Sequence, residues 1–498
     1  MTDCEVLIAG AGPAGLAVAC GLLSQGVPVR IVDKAGGPAT TSRANFVHAR
    51  GSEVLDRLGA LDDLPQRSVR AMQITTYLGD KPVMRVRFGD PGIRSAAPPM
   101  VISQATVEAA LRDRLTELGG AVEWSTPLTE LRQDGTGVVV TLGDGSTTRT
   151  AWLVGCDGAA STTRRRAGIG FPGVQLTERF LLADVWLDWD LDRSGTTGWI
   201  HPDGMVGAMP MPGGSWRIIA YDPDLSGDAP DHDEILHRLQ RLLPERTGRD
   251  VQVTAAEWLS MFIVHRRLAD TYRRGRVLIA GDAAHTHAPF GGQGMLTGLG
   301  DAENLAWKLG LVVQGVADAV LLDSYEPERR PLATEVLRGT TAVTKVNITQ
   351  RPAGRFIRDR IAVPLLNLPA VQRWVTYQTS QLWVSYRKGP LAERSLPLAR
   401  KPRPGDRVPD GPYLALDGSP VRLYTQLRGH WVLVVPDTQS ALCSIARAHL
   451  GNRVTILRQT GRSEIYLVRP DGHLAWRGTD SGQLDSWLSR MLVRGRVR

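Results

Sequence analysis

Residues Gly281–Leu309 read GDAAHTHAPFGGQGMLTGLGDAENLAWKL and follow a short apolar run, Arg276–Ala280 (RVLIA). That order implies a strand, a Gly-Asp turn, a glycine-rich loop and then a helix. It suits a ligand carrying both a chain of hydroxyl groups and an electron-poor ring. Asp282 can accept hydrogen bonds from the hydroxyls, because an ionised carboxylate only accepts. Backbone N–H groups at the helix start, after Gly291, Gly292 and Gly294, can face negative charge developing on the ring. An ordinary glycine-rich strand-to-helix turn would read the same way, so two further stretches are needed to decide.

The first is N-terminal. An apolar run, Val6–Ala9, leads into Gly10-Ala11-Gly12-Pro13-Ala14-Gly15 and the apolar stretch Leu16–Leu23; Val27–Val32 follows and ends in Asp33-Lys34. Strand, tight turn, helix, strand and acidic end is the order of a dinucleotide fold. Gly10 permits the sharp turn, Gly12 lets backbone approach a pyrophosphate, and Gly15 lets helix and strand pack closely. Asp33 is placed to bond ribose hydroxyls. The second stretch is Trp152–Val154 running into Gly155-Cys156-Asp157-Gly158-Ala159-Ala160-Ser161, again a strand ending in an acidic turn.

With these three elements in this order the chain resembles the class A FAD-dependent monooxygenases, the phenol hydroxylase and aromatic polyketide hydroxylase group. Ser42-Arg43-Ala44 with His48-Ala49-Arg50, Glu53 and Arg57-Leu58-Gly59 resembles that family's flavin-contacting arginine segment. Ile102-Ser103-Gln104 with Glu108 resembles its glutamine segment. The resemblance implies an α/β chain: a Rossmann-like FAD-binding domain of the GR2 type, an inserted substrate-binding β-sheet and a C-terminal thioredoxin-like domain. It implies FAD contacts at Gly10, Gly12, Pro13, Ala14, Gly15, Asp33, Lys34, Arg43, Gln104, Asp157, Gly158, Gly281, Asp282, Pro289, Gly292, Gly294, Met295 and Leu296. Two positions depart from the family. Leu296 stands where Asn is usual, which removes an amide near the flavin, and Ala160 stands where Arg is common, which bears on nicotinamide binding.

The three motifs are separated in sequence but must converge on one cofactor. A single domain is therefore expected within 1–345, interrupted by a substrate sheet at about 73–99 and 170–267. Residues 346–400 read as a helical connector with proline interruptions, and 401–498 as the thioredoxin-like domain. That tail lacks a Cys pair after its first strong strand, Trp431–Val435, so it is expected to be structural or an interface. The substrate sheet holds Trp186, Trp189, Trp199, Trp216 and Trp258, five of the chain's 13 Trp, some of which are expected to wall a planar substrate.

Composition bounds the rest. The chain has 498 residues, 42% of them hydrophobic, enough for two or three domains with substantial cores. Its formal charge of +8 is scattered arginine, without the aromatic-interleaved basic stripe of a nucleic-acid module. The densest basic patch, Arg164-Arg165-Arg166, reads either as a solvated helix start or as attraction for a phosphorylated cofactor. Four scattered cysteines have neither metal-ligand nor disulfide-framework spacing. His285 and His287 have zinc-like spacing but no third ligand, so no metal is expected. No apolar run is long enough to span a membrane, and Asp3 and Glu5 sit where a signal peptide would be basic. A cytoplasmic protein is expected, acting on a small aromatic molecule, with a homodimer as a compatible assembly.

The resemblance also implies the chemistry. NADPH or NADH binds transiently and delivers hydride to the flavin, since no second dinucleotide fingerprint exists. Oxygen is then activated as a flavin C4a-hydroperoxide. Pro289 lies against the reacting face and Arg43 contacts the flavin or its pyrophosphate. His201 and Tyr221, in the substrate sheet, are candidates to accept or relay a phenol proton, although each also reads as an ordinary structural residue. Hydroxylation of a phenolic or polycyclic aromatic natural-product intermediate is the favoured reading. Baeyer–Villiger oxygen insertion on the same scaffold, or a flavin-binding protein that no longer turns over, are the alternatives.

Overall fold

The Cys4–Ala9 strand is the axis of the molecule; Val6, Leu7 and Ile8 are wholly buried, as a central parallel strand covered on both faces must be. It pairs in parallel with Val29–Val32 on one side and Thr147–Gly155 on the other, and Val277–Ile279 continues the sheet beyond. The register decides where a ligand can sit. Ala9 lies opposite Val32 and Gly155, and Gly155 lies opposite Ile279. Four carboxyl ends therefore form one row, and the residues that follow are Asp33, Gly10, Cys156-Asp157 and Ala280–Asp282. Open α/β sheets bind ligands in the crevice at such ends. This computed structural model describes the chain apart from residues 1–2, 42–43, 70–72, 88–98, 226–229, 288–290, 349–351, 394–401, 437–440, 460–463 and 493–498.

A second, eight-stranded sheet lies beside the first. Its order is His285–Thr286, Gln252–Leu268, Gly173–Asp188, Trp216–Tyr221, Gly204–Pro210, Gly195–His201, Gln73–Leu78 and Lys81–Arg87. All neighbours are antiparallel except Gly195–His201 with Gln73–Leu78. Its edge strand His285–Thr286 belongs to the Gly-Asp loop, pairing Thr286 with Arg267 and His285 with Leu268. The Gly-Asp loop, which leaves the first sheet after Val277–Ile279, is thus tied to the second by a hydrogen-bonded ladder.

The C-terminal part forms a six-stranded sheet in the order Pro420–Arg422, Pro412–Leu414, Val454–Arg458, Trp431–Val435, Tyr466–Val468, Leu474–Arg477. Trp431–Val435 and Val454–Arg458 are parallel, joined through the helix Ala441–Leu450; the other pairs are antiparallel. One face buries Leu433, Val435 and Trp476 under that helix and Ser481–Leu492, in a core that also takes in Trp307 and Leu311 from the helix Gln293–Val313. Trp307 and Trp431 meet edge to face, 5.2 Å between ring centroids, so aromatic packing fastens this domain to the first.

Candidate active site

At the first turn the structure shows why glycine is required. Gly10 has φ +106°, and a Cβ there would stand 2.3 Å from the Cys156 carbonyl oxygen; a Cβ on Gly15 would stand 1.9 Å from the Gly10 oxygen. At Gly12 nothing lies within 4 Å, so this glycine keeps an approach open to backbone. The helix Pro13–Leu23 begins directly after it with Pro13 at its first position and no side-chain cap, leaving its N–H groups for an anion. Asp33 folds back on this loop, accepting from the N–H of Ala11 at 2.6 Å and of Ala35 at 2.8 Å; lone pairs remain on its carboxylate for a ligand hydroxyl. Lys34 is exposed.

The second turn departs from expectation. Asp157 faces its own following helix, accepting from the Ser161 hydroxyl and from the Thr163 N–H (2.9 Å) and hydroxyl (3.0 Å). Its carboxylate therefore caps the helix Thr162–Arg166, and Gly158, at φ +77°, turns the chain between them. The three arginines that follow divide. Arg164 is buried and donates to the carbonyls of Ala283 (2.9 Å) and Ala159 (2.8 Å), with its guanidinium 3.8 Å from the Phe171 ring centre. It ties the second motif to the third. Arg165 bonds the Ala160 carbonyl and Arg166 pairs with Glu130, so neither sequence alternative describes Arg164.

The third turn packs on the first: a Cβ on Gly281 would meet the Ala14 Cβ at 2.9 Å, and Gly298 approaches the same spot. Asp282 is exposed between buried neighbours. The helix Gln293–Val313 starts at Gly292, which has φ +61° and supplies no side-chain cap. A Cβ on Gly292 would crowd Phe46 at 2.8 Å, and one on Gly294 would touch His287. Met295 and Leu296 are buried; Leu296 lies 3.4 Å from where a Gly51 Cβ would be, between helices, so its methyls fill the seam with Ala49–Leu58. His48 donates from Nε2 to the Gly291 carbonyl at 2.5 Å; burial pushes its pKa down to about 4, so the ring is neutral. Gln293 bonds the carbonyls of Gly291 and Thr379, and Gln381 bonds Gln293. Gln381 belongs to no motif read from the sequence; His48 was read within the arginine segment and Arg164 within the basic patch, but not their bonds to the Gly291, Ala283 and Ala159 carbonyls. Gln104 donates to Glu108, whose carboxyl burial pushes up. Arg43 and Pro289 lie outside the described residues.

Strand parity decides which side chains of the second sheet can meet a substrate. Leu181, Ala183, Trp199, Val206, Ala208, Trp216 and Ile218 share one face, packed under Ile235, Leu239, Leu242 and Leu243 of the helix His232–Thr247. Trp189 joins them, 5.3 Å from Trp216 and 5.7 Å from Trp199. These three tryptophans are core, not the expected substrate wall. His201 shares their parity at the end of its strand, beside Asp203 and Glu245, and is turned away from the crevice. Among the described residues this partly exposed trio is the one grouping that could hold a metal ion.

The opposite face carries Phe180, Leu182, Asp184, Met209, Arg217, Ile219, Tyr221, Trp258 and Phe262, as the cross-strand register requires. It meets the first domain, where Asn45 donates to the sulfurs of Met209 and Met211. Phe180 and Phe262 stack with centroids 5.4 Å apart and Tyr221 tilts against Phe180 at 5.4 Å. Arg217, wholly buried, makes two hydrogen bonds of 2.7 and 2.6 Å to Asp184 beside the Trp258 ring. This ion pair was invisible in sequence, because its partners are strand neighbours 33 residues apart. Burial pushes the Tyr221 phenol above its ordinary value, so at neutral pH it donates a hydrogen bond rather than removing a proton.

An open backbone at Gly12, two long helices with uncapped N-termini, an exposed Asp282 and an apolar face beyond fit FAD as the cofactor. Comparison with known proteins agrees. A family model described as "FAD binding domain" matches residues 3–340, and one described as "Aromatic-ring hydroxylase, C-terminal" matches 401–494. The chain is 40% identical over 353 residues to 6-methylpretetramide 4-monooxygenase of Streptomyces rimosus, covering 68% of this chain and 61% of that one. It is 32% identical to a rifampicin monooxygenase of Streptomyces venezuelae over 98% of both chains. Among solved structures, an aromatic hydroxylase from angucycline biosynthesis matches with TM-score 0.82 and 30% identity over 99% of each chain. An anhydrotetracycline hydroxylase from Streptomyces rimosus matches with TM-score 0.80 and 31% identity, over 98% of this chain and 99% of that one.

Proposed function

The chain belongs to the FAD-binding aromatic-ring hydroxylases, and from that premise we propose that it oxygenates a phenolic, polycyclic substrate of polyketide type. It is an NAD(P)H-dependent flavoprotein monooxygenase; the identity of the substrate is the inference. The observation that carries it is the alignment of three motif-bearing strand ends beside a sheet face of stacked aromatics. When bound, FAD would supply the redox chemistry that activates O2, with NAD(P)H as the electron source. Asp282 and Asp33 hold hydroxyl groups of the cofactor and Gly12 backbone receives its pyrophosphate. The start of Gln293–Val313 favours negative charge at the ring edge. Arg43 and Pro289 are assigned to the same cofactor by their place in the motifs.

Phe180, Ile219 and Phe262 exclude water and seat a flat ring system. Tyr221 donates a hydrogen bond to the substrate oxygen, while Arg217, held by Asp184, places positive charge under a developing phenolate. His201 has no part in this scheme. Three units follow: 1–345 with the substrate sheet inserted at about 73–99 and 170–267, the connector 346–400, and 401–498. The last is a thioredoxin-like unit used for docking, supported by its parallel β-α-β start and its hairpin followed by a helix. A cytoplasmic setting accords with Cys4, Cys20 and Cys156 being outside any disulfide, and no described helix is long and apolar enough to cross a membrane. A homodimer has a surface to use in Ile357, Ile361 and Leu365 of the helical run 352–366 and in Leu368 just beyond it, all at least half exposed; light scattering of the purified protein tests it.

The deciding experiment follows NAD(P)H consumption by the flavin-loaded protein over a panel of polycyclic phenols and ketones under isotopically labelled oxygen. Label on a new aromatic hydroxyl is the expected result. Label inside a lactone moves the assignment to Baeyer–Villiger chemistry, and flavin reduction without any labelled product across the panel removes the substrate proposal.

A further inference from the structure

Asp301 sits two turns into the helix Gln293–Val313, wholly buried, and nothing in the scheme above uses it. One carboxylate oxygen accepts from the Gly281 N–H at 3.2 Å and from His285 Nε2 at 2.6 Å; the other accepts from Arg329 Nε at 2.8 Å. Gly281 and His285 are the two ends of the segment that presents Asp282. A single carboxylate therefore fixes both ends of the cofactor-facing turn, while Asp282 stays exposed between them.

Arg329 in turn is aimed by two acceptors, the Thr297 carbonyl and the Tyr386 hydroxyl, each at 2.9 Å. Tyr386 lies against the His473 ring, 4.1 Å between centroids, with the Arg469 guanidinium 5.0 Å from its own ring centre. His473 hydrogen-bonds Asp471, and these residues form the buried turn Arg469–His473 of the C-terminal domain. From Asp471 a second path returns. Its backbone carbonyl accepts from Arg50 at 3.0 Å, and Arg50 is in the first turn of the helix whose N-cap is His48, the residue that holds Gly291. One turn of the C-terminal domain thus reaches the start and the finish of the loop between Gly281 and Gly291.

Such an arrangement is costly. Burial alone would raise the Asp301 carboxyl; His285 and Arg329 outweigh it and hold the group below the usual carboxylate range. Apolar residues of similar volume would fill the space with no less stability, so the return on burying so many charges is a fixed geometry.

We infer that Asp301 is a positioning residue for the FAD-binding loop, and that the C-terminal domain sets its aim through Arg329 and Tyr386. The inference rests on the FAD reading above. Its test uses the full chain, stripped of flavin and titrated with FAD by fluorescence quenching, with the visible flavin spectrum and thermal midpoint recorded for each variant. Asp301→Asn keeps the shape and loses the charge; Tyr386→Phe removes one hydroxyl three hydrogen bonds from the loop. Arg453→Ala is the control, since Arg453 Nε bonds Gln314 at 2.7 Å across the same domain junction but away from the loop. Asp301→Asn is expected to weaken FAD binding about 10- to 100-fold and Tyr386→Phe about 3- to 10-fold, each flattening the resolved shoulders of the flavin band, with Arg453→Ala within about twofold of wild type. Wild-type FAD affinity and spectrum in both Asp301→Asn and Tyr386→Phe overturn the inference. So does an Arg453→Ala loss equal to that of Tyr386→Phe, which would make docking in general, not this path, the cause. If Asp301→Asn does not fold, Tyr386→Phe against Arg453→Ala decides alone. Wild-type protein that takes up no FAD would instead sink the cofactor reading itself.

Discussion

Replacing Arg164 by Met should loosen the crevice at the point where two motifs are sewn together. Two hydrogen bonds from a charged donor, at 2.9 and 2.8 Å, leave the Ala283 and Ala159 carbonyls without their partner. Bonds of this kind contribute about 1.5–3 kcal/mol each, and the stacking on Phe171 adds about 0.5–2 kcal/mol. Against this stands the relief of burying a guanidinium whose Nε has no hydrogen-bond partner. The net destabilisation is about 2–4 kcal/mol. Several sheets unfold here, so a single two-state transition is the wrong readout. The assay is the urea concentration at which bound FAD is released, paired with FAD affinity in buffer. Arg164→Met should weaken FAD binding about tenfold or more, which corresponds to 1.4 kcal/mol or more of the loss reaching the site. Arg164→Lys, a point charge able to reach one carbonyl at a time, should fall between. If Lys restored wild-type behaviour, charge and not the two-carbonyl bridge would be what matters; if Met changed release and affinity by less than a factor of two, the bridge would carry no weight.

Burial pushes His48 down to about 4, so between the ordinary value of 6.5 and 4 the unfolded chain binds more protons than the folded one. Stability from this group is complete above pH 6.5 and drains as pH falls towards 4; His48→Gln should flatten that fall by about 1.4 kcal/mol per pH unit, and an unchanged acid titration of FAD release would count against it. His473, also held near 4, keeps its share of the slope in that variant. Arg217→Met strands the buried Asp184 carboxylate and should cost about 3–5 kcal/mol, most of it recovered when Asp184→Leu is added; thermal unfolding that shows no recovery would deny the pairing its role. His201→Ala should turn over within about twofold of wild type whereas Tyr221→Phe loses about tenfold in kcat, and steady-state rates that reverse this order would mean the wrong face of the sheet has been assigned to the substrate.

The crevice itself was readable in the sequence because each of its parts is local. Gly10, Gly155 and Ile279–Asp282 advertise strand ends through glycine and acid placed directly after apolar runs, and parallel pairing brings such ends into one row. The strands Trp431–Val435 and Val454–Arg458 were equally plain, being short continuous apolar runs of a buried sheet. Side-chain direction was not readable. His201 and Tyr221 both sit in strands of the substrate sheet, and only the register, which sets parity, shows that one is turned to a covering helix and the other to the flavin domain. Asp157 looked like a ligand contact from its motif, yet Ser161 and Thr163, four and six residues on, offer it nearer partners. The charged web around Asp301 and Asp471 lay furthest out of reach, since Arg50 and Asp471 are 421 residues apart and no periodicity encodes such a pair.

That separation has a consequence in time. Ribosomes deliver about 5–20 residues per second, so the turn Arg469–His473 follows the loop at Gly291 by on the order of 10–40 s. Throughout that interval Arg50 lacks the Asp471 carbonyl and Tyr386 lacks the His473 ring, while Asp301 can already pair with Gly281, His285 and Arg329. The path from the C-terminal turn to the loop is therefore complete only once the last sheet has docked.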